Sequence, residues 1–165
     1  MKSSALAASP RPMPDATGRG VLEVVDLGPF ENNHNNIVAI NDLRQCVGVC
    51  LNEVTGRIEA FRQEEDRRAM LGTLGGSFSI ARDLNNCGDV VGGSLTEGDE
   101  NFHAFLFHGN KLYDLNGLLE RGSAWEVIQA LGINNQGDIL GIATLDGRDR
   151  IVLIRPRQER YPFRW

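Results

Sequence analysis

The chain has 165 residues, enough for a single domain with a substantial core, and a formal net charge of −5. An acidic chain repels a phosphate backbone, so the composition argues against a nucleic-acid partner. No apolar run reaches the length of a membrane span, so no membrane partner is predicted.

Residues 1–20 are rich in Ser, Ala, Pro and Gly and are predicted to form a disordered N-terminal tail. The apolar run at residues 5–8 is too short for the core of a secretory signal, so the sequence predicts a cytoplasmic protein. Residues 21–157 are predicted to form one β-repeat domain, followed by a C-terminal tail at residues 158–165.

The domain contains three copies of one repeat, at about residues 21–68, 69–111 and 112–157. Each copy carries a pair of Asn or Asp residues after an apolar residue. These side chains tolerate left-handed backbone and hydrogen-bond their own main chain, so each pair predicts a hairpin turn between two strands. The three turns are Ile40-Asn41-Asp42, Leu84-Asn85-Asn86 and Ile133-Asn134-Asn135.

A glycine recurs inside the second strand of each hairpin, at Gly48, Gly92 and Gly141. A glycine repeated within strands usually indicates that another backbone or a ring approaches closely. We therefore expect all three to be packing glycines that tolerate no larger side chain.

Two further motifs complete each repeat. A Leu-Gly strand precedes each turn, at about residues 22–27, 69–74 and 112–117, and an Ala-Phe strand follows each turn. Four short strands in roughly 45 residues match the size of a propeller blade. Helix is scarce, and the best candidate, residues 118–125, is interrupted by Gly122.

The strand count predicts an all-β fold in which three four-stranded repeats form a three-fold, propeller-like ring. The first Leu-Gly strand is expected to pair beside residues 151–154 and close the ring, because this pairing covers two exposed edges. Three blades are few for a propeller, which leaves two alternatives open. One is a β-trefoil-like barrel, and the other is a half-propeller that forms a homodimer.

The repeat resembles the bacterial HAF-repeat family of probable extracellular proteins. The resemblance rests on His103-Ala104-Phe105, on Leu71-Gly72-Thr73-Leu74-Gly75-Gly76 with Ala81, and on Leu84-Asn85-Asn86-Cys87-Gly88-Asp89-Val90-Val91-Gly92. It implies a β-repeat scaffold and an exported protein, whereas the N-terminus predicts a cytoplasmic one. The resemblance implies no particular activity, because the family is defined by its repeat.

The three cysteines are Cys46, Cys50 and Cys87. Their odd number and the missing secretion signal argue against a disulfide framework. In an extended strand Cys46 and Cys50 would lie about 13 Å apart, too far to share one metal ion. Both are therefore predicted to be buried free thiols, and neither a metal site nor a cofactor is predicted.

One candidate site is the column of charged residues that precede the apolar position of the third strand. Glu59, His103 and Arg150 occupy equivalent positions in the three repeats. In a three-fold ring, equivalent positions surround one axis, where an acid, an imidazole and a guanidinium could bind a carboxylate or transfer a proton. Solvent exposure of the column is the simpler alternative. Asp89 and Asp138 are expected to cap their own turns.

A second candidate site lies on the loops where the repeats differ from one another. The residues of this loop set are Phe30, His34, Phe78, Trp125 and Glu126. Their aromatic rings offer apolar contact, and His34 with Glu126 could transfer a proton. Decoration of the surface is the alternative interpretation.

No nucleotide-binding, nucleophile or metal motif is present in the sequence. The repeat therefore predicts a module that binds a small organic molecule or a protein. The alternative is a small cofactor-independent enzyme, a cyclase, isomerase or lyase, in which His34, Glu126, His103 and Glu59 are the candidate catalytic residues and Phe30, Phe78, Trp125 and Arg150 bind the ligand. A third possibility is a structural subunit of a larger propeller.

Overall fold

The computed structural model of the protein describes residues 22–26 and 36–156. The described chain consists of strands joined by short turns, with two 3₁₀ turns at Glu97–Asp99 and Leu115–Leu118. None of its helical turns is long or apolar enough to cross a membrane. The strands are β1 Asn36–Ile40, β2 Gln45–Asn52, β3 Arg57–Glu64, β4 Arg67–Gly72, β5 Gly75–Leu84, β6 Val90–Thr96, β7 Phe102–His108, β8 Lys111–Asp114, β9 Glu126–Ile133, β10 Ile139–Leu145 and β11 Arg148–Ile154.

The strands form three antiparallel meanders that follow the chain in order. The first meander contains β1–β4, the second β5–β8 and the third β9–β11. A single parallel pair, Ile58 with Phe78, joins the first two meanders. The all-β prediction is confirmed.

Each predicted Asn turn is a hairpin held by its first asparagine. In the second turn the Asn85 Oδ1 accepts hydrogen bonds from the backbone N–H groups of Cys87 (2.9 Å) and Asp89 (3.0 Å). Gly88 in this turn has φ of 80°, a left-handed conformation that suits glycine. Arg44 has φ of 64° at the equivalent position of the first turn. The asparagine cap therefore sets the turn even where glycine is missing.

Two hydrophobic clusters lie between the meanders. One joins the first meander to the second and includes Val47, Ala60, Leu84 and Phe105. The other joins the second to the third, and its buried members are Val91, Ala104, Leu106, Leu115, Val127, Ala130, Ile133, Ile139 and Ala143. The second meander is thus covered on both faces, and the three meanders form an arc.

The three strand glycines pack against backbone, as predicted. A Cβ at Gly48 would lie 1.8 Å from the carbonyl oxygen of Asn36, and one at Gly92 would lie 2.0 Å from that of Ile80. At Gly141 the corresponding distance to the Gln129 oxygen is 2.5 Å. In every repeat the second strand therefore approaches the first too closely for any side chain.

The predicted closure of the ring is not observed. Residues 22–26 form no strand, and within the described chain β11 pairs with β10 alone. The third meander therefore has three strands where the others have four. The described residues form neither a closed ring nor a closed barrel. In the first meander β1 packs on β2 and β5, whereas in the third meander β9 packs on β5, β6 and β7 of the second.

Two further predictions concern segments outside the meanders. The helix predicted at residues 118–125 is absent; instead a 3₁₀ turn ends at Leu118, and a loop follows in which Gly122 has φ of 79°. A left-handed residue cannot continue a right-handed helix. The tails predicted at residues 1–20 and 158–165 lie outside the described residues.

The cysteines are free, with Cys46 and Cys50 buried and Cys87 exposed, which confirms the prediction for the first two. Burial raises the pKa of both the Cys46 and the Cys50 thiol, although Arg68 lies near enough to oppose the effect. The neutral thiol is a poor nucleophile, so both should be protected in the folded protein.

We therefore expect one thiol per chain, that of Cys87, to react promptly with a disulfide reagent such as dithionitrobenzoate. All three should react after unfolding in guanidinium chloride. Cys87→Ser is the control and should abolish the prompt reaction. Two or more promptly reacting thiols in the folded protein would contradict the burial of Cys46 and Cys50.

Candidate functional site

A row of three titratable side chains lies where the second meander meets the third. His103 on β7 has its Nδ1 2.7 Å from Asp114 Oδ2 at the end of β8. Its Nε2 lies 3.6 Å from the Oε1 of Glu126, the first residue of β9. The structure thus brings together His103 and Glu126, two of the predicted catalytic residues that the sequence placed in different sets.

Asp114 is fixed by its position at the start of the 3₁₀ turn. Its Oδ1 accepts a hydrogen bond of 2.8 Å from the backbone N–H of Asn116. Since a carboxylate only accepts, Asp114 favours the His103 tautomer with a proton on Nδ1, which leaves Nε2 toward Glu126. Asp114 was missed by sequence reasoning, although an Asp directly before a short helical turn is a typical cap.

The other members of the charged column have different surroundings. Glu59 is buried and accepts hydrogen bonds from Asn52 Nδ2 (3.0 Å) and Thr55 Oγ1 (2.7 Å), which makes it part of the β2–β3 hairpin. Arg150 is exposed on β11. No hydrogen bond or ion pair joins any two of Glu59, His103 and Arg150. The physical reason is that they lie on the third strands of three separate meanders in an open arc.

The loop set is only partly described. Phe30 and His34 lie outside the described residues. Phe78 on β5 packs against Phe102, with ring centroids 6.3 Å apart and planes inclined by 36°. Trp125 is partly exposed at the end of the loop before β9.

A concavity of about 890 Å³ lies beside Trp125. Its lining comes from two places in the chain: residues 118–125, and Ile154 at the end of β11 with the following Arg155. The loop is braced by its own hydrogen bonds, since Ser123 N–H donates to the Glu120 carbonyl (3.0 Å) and Trp125 N–H to Ser123 Oγ (3.2 Å). Residues 120–125 of this lining belong to the extra segment, around residues 120–126, that distinguishes the third repeat from the other two.

The three Asn turns form a second surface feature, a shallow depression of about 340 Å³. The Asn41 side chain donates to the Asn85 carbonyl (2.9 Å), and the Asn85 side chain donates to the Asn134 carbonyl (3.3 Å). We call this row of hydrogen bonds from one turn to the next the asparagine ladder. It was not predicted, since a single repeat gives no sign of its contacts with the next.

The turn aspartates Asp89 and Asp138 were predicted to cap their own backbone, but neither does. Asp89 is buried, accepts from Asn85 Nδ2 (2.9 Å) and lies 2.5 Å from the Nδ1 of His108. Asp138 accepts from Asn134 Nδ2 (3.2 Å). In both turns the asparagine caps the backbone, and the aspartate orients the asparagine amide.

Among residues 22–26 and 36–156, no three His, Cys, Asp or Glu side chains form a group that could hold a metal ion. No family model, curated protein or solved structure matches the chain. The resemblance to HAF repeats and the cytoplasmic location therefore stay predictions.

Proposed function

We propose that the protein is a non-catalytic binding module built from propeller-like blades, each meander being one blade. Its ligand site is the concavity beside Trp125. The observation that carries this proposal is that a concavity of about 890 Å³ is lined largely by the extra segment that distinguishes the third repeat. A rigid scaffold with a specialised loop is the common arrangement for binding sites.

The lining of the concavity suits a flat organic anion. The Trp125 ring offers apolar area for stacking, and Arg121 and Arg155 offer guanidinium groups that pair with a carboxylate. With Glu120 as the one acid in the lining, these groups give it a net charge of +1 (two arginines minus one glutamate). An aromatic carboxylate is therefore the expected ligand class.

The titratable row and the concavity have different linings. His103, Asp114 and Glu126 are absent from the concavity, whose described lining is the loop and the end of β11. An enzyme needs its acid and base within hydrogen-bond reach of the bound substrate. This separation favours binding over catalysis.

The proposal is tested with naphthoate, a flat aromatic carboxylate, as the probe. Trp165→Phe leaves Trp125 as the single tryptophan, so that its fluorescence reports on the concavity. We expect saturable quenching, and about tenfold weaker binding in Arg121→Gln, since one charge-assisted hydrogen bond contributes about 1.5 kcal/mol.

Two controls distinguish the concavity from the rest of the surface. Arg44→Gln removes an exposed arginine in the first Asn turn and should leave binding unchanged. Naphthylmethanol, the uncharged analogue, should bind more weakly than naphthoate and equally to the wild type and Arg121→Gln. Equal naphthoate affinity in Arg121→Gln, Arg44→Gln and the wild type would refute the site.

A second candidate function, a small cofactor-independent enzyme, is favoured by one observation. His103 lies between Asp114 and Glu126, an arrangement that orients an imidazole for proton transfer. His103→Asn distinguishes the two functions. If the protein is a binding module, His103→Asn leaves its affinity for naphthoate unchanged. If the protein is an enzyme, His103→Asn abolishes turnover of the organic acid that it converts.

A further inference from the structure

The register between third and fourth strands is the same in the two complete meanders. Gln63 lies opposite Arg68 and Glu64 opposite Arg67 in the first meander. In the second, the equivalent positions pair Phe107 with Leu112 and His108 with Lys111. The third meander contains the third strand, β11, and no described partner for its outer edge.

Residues 22–26 carry the sequence pattern of the missing strand. Aligning the Leu-Gly motifs and applying the shared register places Val25 opposite Leu153, Val24 opposite Ile154 and Glu23 opposite Arg155. These are two apolar pairs and one pair of opposite charge, the cross-strand pairs that stabilise a sheet. Val24 is 94% exposed and Leu153 is 53% exposed in the single chain, so both would gain cover.

The two ends of the arc carry complementary halves of one contact. On β7, Ala104 and Leu106 pack toward the third meander. The equivalent residues on β11 are Ile151 and Leu153, and Ile151 is 83% exposed. On the opposite side, Leu84 and Ile133 end the first strands of the second and third meanders and pack toward the meander before them. Their equivalent in the first meander is Ile40, which is 66% exposed.

The asparagine ladder gives this contact a direction. Each turn donates to the carbonyl of the next turn, from Asn41 to Asn85 to Asn134. The same order holds for the neighbouring residues, since Asp42 N–H donates to Asn86 Oδ1 (3.0 Å) and Asn86 N–H to Asn135 Oδ1 (2.9 Å). One bond runs the other way, from Asn86 Nδ2 to Asp42 Oδ2 (2.8 Å), so the order rests on the Asn41 and Asn85 amides and on the backbone N–H groups of Asp42 and Asn86. A head-to-tail contact would continue this order from the third turn of one copy to the first turn of the other.

We propose that two copies of this chain associate head to tail, the third meander of each against the first meander of the other. In each contact, residues 22–26 of one copy form the fourth strand beside β11 of the other. A two-fold axis makes both contacts identical, and the three meanders of each copy give a ring of six blades, within the range of known propellers. The proposed strand pairs use Ile154 and Arg155, which also line the concavity. The association is measured without a ligand, so its test does not depend on the proposed function.

A second copy explains the open ends better than the chain's own N-terminal segment does. The first and third meanders meet through the second, and β1 packs on β2 and β5. Pairing of residues 22–26 with β11 of the same chain would have to bridge the opening of the arc. It would also leave Ile40 and Ile151 exposed, whereas a second copy covers both.

The association is tested first by sedimentation velocity of the full chain over a range of micromolar concentrations. We expect a dimer for the wild type and a monomer for Ile151→Glu, because a charge would be buried in the contact. Val54→Glu is the matched control, since Val54 is 95% exposed in the β2–β3 turn, at the end of β2 opposite to the first Asn turn. It should remain a dimer, and circular dichroism should show all three proteins folded. A monomeric wild type, or a dimeric Ile151→Glu, overturns the proposal.

Mixing variants tests the head-to-tail direction. Ile40→Glu alters only the first meander and Ile151→Glu only the third, so each should be monomeric alone. In a mixture, one contact of the heterodimer joins the unaltered third meander of Ile40→Glu to the unaltered first meander of Ile151→Glu. We expect a heterodimer in the mixture, and its absence would overturn the head-to-tail contact.

Disulfide trapping tests the strand pairing. In a Cys87→Ser background, Val24→Cys with Ile154→Cys should form a disulfide-linked dimer on a non-reducing gel, because opposed residues in a sheet lie within bonding range. Val24→Cys with Ile151→Cys is the off-register control and should form little. A disulfide within one chain would show that the segment closes its own arc, and no disulfide would show that it does not pair with β11; either result overturns the proposed strand exchange.

Discussion

Gly92→Ala is expected to lower the free energy of unfolding by about 3 kcal/mol or more, at the upper end of what overpacking costs. The added Cβ would lie 2.0 Å from the Ile80 carbonyl oxygen, and real Cβ atoms essentially never approach a neighbour within 3.0 Å. The obstacle is backbone in the paired strand β5, in the middle of the arc, so it cannot rotate away. The loss would appear as a lower midpoint of urea unfolding with an unchanged slope.

Gly117→Ala is the matched control for this substitution. Gly117 is exposed, and a Cβ there would meet no atom within 4 Å. Its unfolding midpoint should stay close to that of the wild type. Gly141→Ala should cost less than Gly92→Ala, because its Cβ would lie 2.5 Å from the nearest carbonyl oxygen. A Gly92→Ala midpoint equal to that of Gly117→Ala would show that the strands can separate at little cost.

The turns and the packing glycines could be predicted from sequence because their causes are local. An asparagine side chain bonds the backbone two and four residues ahead, and Asn41, Asn85 and Asn134 do so in the same way. The glycine of the second strand is required because the first strand of the same hairpin passes too close for a Cβ. Neither depends on how the repeats are arranged around an axis.

Closure and the charged column could not be predicted from sequence because they depend on that arrangement. The prediction that Glu59, His103 and Arg150 converge assumed a closed three-fold ring, and the described meanders form an open arc. The same limit explains why His103 and Glu126 were assigned to separate sets. Their proximity arises from packing of β7 on β9, two strands of different repeats.

Asn85→Ala is expected to destabilise the protein by about 3 kcal/mol, because a buried side chain with four hydrogen bonds is lost. The Oδ1 of Asn85 accepts from two backbone N–H groups, and its Nδ2 donates to Asp89 Oδ2 and the Asn134 carbonyl. Asn85 is 3% exposed, so water cannot replace these partners. In this variant the buried carboxylate of Asp89 would keep its contact with His108 Nδ1 but lose the hydrogen bond from the Asn85 amide.

Asn134→Ala provides the matched control, because Asn134 makes the same bonds within its own turn. Its Oδ1 accepts from Gln136 and Asp138 N–H, and its Nδ2 donates to Asp138 Oδ2. Since Asn134 is exposed, water can take over, and the expected loss is about 1 kcal/mol or less. Equal losses at the two positions, measured by urea unfolding, would show that burial in the ladder adds nothing to the turn itself.

Asn85→Asp separates the turn from the ladder. The substituted side chain still accepts from the Cys87 and Asp89 N–H groups, but it places a second carboxylate against that of Asp89 in a buried site. Two adjacent buried carboxylates favour the protonated form of one, so the pKa of the pair is raised above the unfolded value. Stability lost at neutral pH is then regained as the pH falls and one group takes up a proton.

We therefore expect the stability difference between Asn85→Asp and the wild type to shrink at mildly acidic pH. A difference that stays constant with pH would mean that the Asn85 amide and the Asp89 carboxylate do not form the buried contact that joins the turn to the ladder.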